Sequence, residues 1–90
     1  VRGYQYRQMG AGGDDVDVRE ISPMAWRLLR VAAGYSQRDV ETEVDDIMQA
    51  HISMLESDTR SLSDDRLEQL FDTYRANLTD QQIEVLVVNF

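Results

Sequence analysis

From residue 22 onward the apolar positions recur with helical spacing, broken where capping residues stand. Ser22 supplies an oxygen ahead of Pro23, and Gly34 closes the run, which predicts a helix over residues 24–33. Trp26, Leu29 and Ala33 share one face of it, with Arg27 and Arg30 at neighbouring angles. Ser36-Gln37-Arg38-Asp39 has the spacing of a capping box and opens a second helix to about residue 44. After a short Asp45-Asp46 turn, a third helix over residues 48–56 turns Ile52 and Leu55 inward. Residues 57–61 form a loop, and Ser63 caps a fourth helix whose Asp64 and Asp65 complement its positive end. Leu67, Leu70, Phe71 and Tyr74 make the apolar stripe of that helix. Thr79 with Gln82 opens a fifth helix running to Phe90. The expected fold class is all-α: a five-helix bundle over residues 22–90.

Residues 1–21 follow another pattern. Tyr4 and Tyr6 alternate with polar residues, a Gly10-Ala11-Gly12-Gly13 turn follows, and Val16, Val18 and Ile21 then sit among charges. This predicts a β-hairpin or an N-terminal arm, two strands alone being marginal in water. Arg2, Tyr4, Tyr6 and Arg7 suit an arm that tracks a phosphate backbone; a plain tail, or a strand packed on the body, fits them as well.

In the fifth helix, Ile83, Leu86, Val87 and Phe90 form one apolar face, and Val85 with Val88 form another. A helix apolar on two sides is normally covered on two sides. Ile83, Val85, Leu86, Val88 and Phe90 are therefore expected at the interface of a homodimer, the alternative being a helix folded wholly onto its own core.

Composition narrows the chemistry. The chain has 90 residues and lacks cysteine, so disulfides, thiol nucleophiles and thiolate metal sites are excluded. One histidine is too few for an ordinary zinc site, and no metal or cofactor is expected. No apolar run approaches the ~20 residues of a membrane span, and no secretion signal opens the chain. The carboxylate clusters lack a nucleophilic or pocket-forming partner, so the expectation is a cytoplasmic, non-enzymatic domain. All nine basic residues are Arg, against seventeen acids, for a net charge of −8. An acidic, lysine-free surface resembles that of proteins from organisms with molar internal salt, where repulsion from an anionic partner is largely screened. The charge is uneven: residues 1–38 balance at +2 and residues 39–90 at −10.

Two helices joined by a tight turn, the second bare of charge on its outward face, have the layout of a helix-turn-helix. Residues 27–40, with Gly34-Tyr35-Ser36-Gln37, resemble the first two helices of the lambda-repressor and Cro-like (Xre) family. Ile52-Ser53-Met54-Leu55-Glu56-Ser57-Asp58-Thr59-Arg60 is similar to the end of that family's recognition helix. The resemblance implies a DNA-binding regulator. By it, Arg30 and Glu56 form a structural ion pair, and Gln37 at the start of the second helix holds a phosphate with Arg38 beside it. Gln49 and Ala50 read base edges, with His51, Ser53 and Met54 lining the rest of the groove-facing surface. Ser57, Thr59 and Arg60 grip backbone phosphate. The partner is double-stranded DNA, bound as a homodimer.

The sequence departs from the family pattern at Glu41, where a small residue is usual, at Asp45 and Asp46 in the turn, and at Asp58 in place of glycine. No basic residue occurs in residues 39–59, although phosphate neutralisation carries much of DNA affinity. A second class therefore stands beside the first: a helix-turn-helix-derived protein-interaction module, such as an adaptor, co-regulator or antitoxin-like subunit. An acidic mimic of DNA is a third. His51 and the methionines also have plain readings, as a solvated side chain and as core or rim.

Overall fold

A computed structural model describes residues 16–90 of the chain. A 3-10 turn, Val18–Glu20, is followed by five helices: α1 (Pro23–Ala32), α2 (Gln37–Glu43), α3 (Gln49–Glu56), α4 (Asp64–Arg75) and α5 (Asp80–Asn89). The described residues contain no strand, and the fold is an all-α bundle as the apolar spacing predicts.

The helix boundaries follow the caps. Ser22, Ser36, Ser63 and Thr79 each accept a hydrogen bond from the backbone N–H three residues on. Asp39 and Gln82 reach back to complete capping boxes at α2 and α5. At the end of α1, Gly34 takes a φ of 91°, and the Tyr35 N–H reaches back to the Arg30 carbonyl. Only glycine adopts that left-handed conformation without strain, which makes Gly34 a fixed stop. α3 ends by the same device: the Thr59 N–H bonds the Met54 carbonyl across Asp58, whose φ is 61°. In the α2–α3 turn it is Asp46, not Asp45, that is left-handed, at φ 66°. Aspartate tolerates this region better than most residues, so both turns close without glycine.

α1 is the centre of the bundle and touches α3, α4 and α5, while α2 packs on α3. Trp26, Leu29, Val40, Ile47, Ile52, Leu70 and Ile83 are all but sealed from solvent. Trp26 meets Phe71 and Tyr74 edge-on, with ring centroids 6.5 and 6.2 Å apart. Burial pushes the Tyr74 hydroxyl well above the usual tyrosine range. The Ser22 hydroxyl donates to the Phe90 carbonyl at 2.7 Å, tying the end of α5 to the start of α1.

Two expectations change here. Of the arm or hairpin expected over residues 1–21, residues 18–20 form a single 3-10 turn capped by Asp17, and Val18 and Ile21 are buried core residues beside α4. Val16 and Val18 have the two-residue spacing of a strand, but Val18 and Ile21 are three apart, and burial of both side chains on one side selects the 3-10 turn. The rest of the expected arm or hairpin, with Arg2, Tyr4, Tyr6 and Arg7, lies outside the described residues. Ile83, expected at a dimer interface, is 1% exposed within its own core, and Leu86 is half-buried against that core. Val85, Val88 and Phe90 remain exposed.

The α2 capping box carries a pH signature. The Ser36 backbone N–H, then its side chain, hold the Asp39 carboxyl below its ordinary value of 3.8. A carboxyl lowered in the folded state stabilises above its unfolded pKa and loses that contribution as pH falls through the folded value. Asp39→Ala should lower the melting temperature by a few degrees at about pH 6, and the difference should shrink as pH falls below the ordinary carboxylate value, as read by thermal unfolding.

Candidate nucleic-acid interface

The position of α3 is set by an ion pair. Arg30 on α1 binds Glu56 at the end of α3 through both ends of its guanidinium, Nε to Oε2 at 2.7 Å and Nη2 to Oε1 at 3.1 Å. Both side chains are nearly buried, at 11% and 6% exposure. The remaining Arg30 nitrogen donates to the Tyr35 carbonyl at 2.8 Å, just past Gly34. Hydrogen bonding to Glu56 raises the Arg30 guanidinium above its already high ordinary value. A bidentate pair fixes orientation as well as distance, and here it locks the C-terminal end of α3 to α1 and to the α1–α2 turn.

Gln37, the first residue of α2, points its amide at the same carboxylate, Nε2 to Glu56 Oε1 at 3.2 Å. Its side chain is half-buried and engaged within the fold; the exposed neighbour is Arg38.

The start of α3 is held differently. Met48 stands at the N-cap and has no oxygen to offer the free N–H groups. Two residues from elsewhere compensate. The Gln49 N–H donates to Glu41 Oε2 at 2.9 Å, and the Met48 N–H donates to His51 Nδ1 at 3.1 Å. A carboxylate of the chain's own α2 thus sits at the positive end of α3, where an anion is favoured by the helix dipole. No local pattern announces this contact, because Glu41 and Gln49 lie on different helices. The one sequence signal is the missing capping oxygen at Met48.

The residues assigned to base reading separate into two groups. Gln49, Ala50 and Ser53 are exposed and fall on one outward stripe of α3, with Ile52 and Leu55 buried behind it. His51 and Met54 are half-buried and turn toward the α3–α4 loop. They line a cleft of about 360 Å³ with Arg60, Ser61, Leu62, Ser63 and Arg66. Arg66 is the residue that reading the sequence passed over, as one more polar position of an amphipathic helix. Its backbone N–H belongs to the Ser63 cap, while its side chain reaches the cleft.

Ser57, Thr59 and Arg60 are exposed at the end of α3. The Ser57 and Thr59 hydroxyls bond each other at 2.8 Å, and Ser57 also donates to the Met54 carbonyl. Among the described residues no group of three or more His, Asp or Glu is placed to hold a metal ion. No described helix is long and apolar enough to cross a membrane.

Removing one member of a buried ion pair leaves the other charge without compensation, whereas replacing both with apolar groups is often tolerated. Glu56→Ala should cost about 3–5 kcal/mol in guanidinium chloride unfolding. Arg30→Met with Glu56→Leu should recover most of that stability.

No curated protein matches the chain, and no solved structure does. Residues 15–67, more than half of the chain and reaching from the 3-10 turn into α4, match one family, described as Domain of unknown function (DUF8599). The chain belongs to that family.

Proposed function

We propose that this domain is a helix-turn-helix transcriptional regulator that binds duplex DNA, with α3 in the major groove. The observation that carries the reading is the outward stripe of α3: Gln49, Ala50 and Ser53 are exposed and uncharged, and the carboxylate that follows in their row, Glu56, is turned inward to Arg30. Glutamine can bond bidentately to adenine, alanine can pack on a thymine methyl, and serine accepts either role. Arg38 and Arg60, both exposed, are the phosphate-neutralising groups in this reading. Gln37 contributes its backbone at the start of α2, since its side chain is bound to Glu56.

The acidic balance sets the conditions under which such a protein works. At ~1 M salt the Debye length falls to about 3 Å, which confines the repulsion between carboxylates and phosphates to near contact. We accordingly assign the domain to a cytoplasm of high ionic strength. A second copy is the partner this reading gives to Val85, Val88 and Phe90, exposed by 47%, 74% and 55%. A two-fold dimer would present two α3 helices to an inverted repeat.

One observation favours a different reading. Glu41 fills the N-terminus of α3, and Glu43, Asp45 and Asp46 are exposed close by in the chain. These carboxylates suit a protein partner with basic side chains, so a protein-interaction module is the second reading.

Selection from a random duplex library in molar potassium chloride tests the first against the second. The expected result is an enriched inverted repeat with half-sites about one helical turn apart. In the same selection Gln49→Ala should lose preference at one position of each half-site. Glu41→Gln, which removes a carboxylate from the approach, should bind the enriched sequence more tightly. A library that emerges unenriched overturns the DNA reading in favour of the protein-interaction module.

A further inference from the structure

We propose that the cleft between α3 and the start of α4 is a phosphate-oxyanion site, with Arg60, Arg66 and the His51 ring as its donors. It deepens the DNA reading and rests on it for the occupant, a backbone phosphodiester beside the groove that α3 enters.

In a chain with seventeen acids, the lining of this cleft contains none. Its polar groups are two guanidiniums, an imidazole and the hydroxyls of Ser61 and Ser63. No ion pair or side-chain hydrogen bond of the Arg60 and Arg66 guanidiniums occurs among the described residues, unlike Arg19, paired with Asp17, and Arg30, paired with Glu56. Asp64 and Asp65 follow Ser63 directly, yet neither lines the cleft, and Asp64 lies close enough to Arg19 to help hold that guanidinium charged.

His51 is set for donation. Its Nδ1 accepts from the Met48 N–H, so the neutral ring carries its proton on Nε2. Ser63 accepts the Arg66 N–H at its oxygen, which leaves the hydroxyl proton to give. The two guanidiniums, the imidazole and the Ser63 hydroxyl can therefore point protons into about 360 Å³, while the Ser61 hydroxyl donates to the Leu62 carbonyl; the volume admits a tetrahedral oxyanion with part of its hydration shell. A planar guanidinium fork matches two oxygens of such an anion. His51 is thereby moved from reading bases to holding backbone, and Arg66 joins Arg60 as a clamp.

The test follows the arginine side-chain and histidine ring signals in nitrogen–proton spectra of the full chain. Inorganic phosphate is titrated in place of chloride at fixed ionic strength, and a short mixed-sequence duplex is titrated separately. Phosphate is expected to move the Arg60, Arg66 and His51 signals while those of Arg27 and Arg38, exposed elsewhere, stay in place. Arg66→Gln should abolish the response. It should also weaken duplex binding several-fold for all sequences alike and reduce the salt slope by about one. Arg66→Lys should retain part of both effects, and Arg60→Gln is the second variant should the backbone spectrum of Arg66→Gln show misfolding.

The outcomes separate the two claims. Equal movement of all four arginine signals, or unchanged duplex binding and unchanged phosphate response in both glutamine variants, overturns the cleft while leaving the DNA reading standing. A wild-type chain that ignores the duplex but shows the phosphate response confined to the three donors upholds the cleft, for a free phosphate group, and overturns the DNA occupant.

Discussion

The bidentate contact between Arg30 and Glu56 is the constraint on which the arrangement of this domain depends. α3 is only eight residues long, too short to hold its place by its own helical stability. Its inward face offers two fully apolar residues, Ile52 and Leu55, to the core. The ion pair adds direction to that burial. It joins the C-terminal end of α3 to the middle of the bundle and, through the Tyr35 carbonyl and Gln37, to the turn that starts α2. With that end pinned and the other held by Glu41, the rotation of α3 about its axis is fixed. Gln49, Ala50 and Ser53 face outward for that reason.

Much of this was legible in the order of residues. Capping serines and threonines ahead of apolar stripes located the four capped helices, because a cap and a stripe are local signals read within one helix. Gly34 was equally plain, since a left-handed stop has one economical solution. What the sequence hid was tertiary. Val16 and Val18 look like a strand when only alternation is considered, and the three-residue spacing of Val18 and Ile21 gains meaning only once α4 is there to cover them. Ile83 reads as an interface residue because the fifth helix is apolar on two sides, and only the position of α1 decides which side is inside. Of the site, the Arg30–Glu56 pair and the stripe of α3 could be anticipated. The Glu41 cap and the grouping of His51 with Arg60 and Arg66 join residues from separate elements, and no spacing rule reports them.

The distribution of charge around α3 now has a physical form. Its N-terminal end meets carboxylates, its middle is neutral, and its C-terminal flank carries Arg60 and Arg66, which form no ion pair among the described residues. Such a gradient orients an anionic partner along the helix: phosphate is attracted at one end and resisted at the other. Screening at high salt weakens both effects at long range, leaving contact chemistry to decide. In the proposed complex a protein with a surplus of negative charge meets a polyanion where it keeps carboxylates out of the contact, and the neutral row and the acid-free cleft are the two places put forward for it.

Backbone amide mapping with a duplex added in molar potassium chloride tests the central claim most directly, because it asks which surface is covered. Changes are expected over residues 37–38, 49–53 and 57–66, with α1 unaffected. Changes centred on the exposed apolar residues of α5, or none on α3, would contradict that claim.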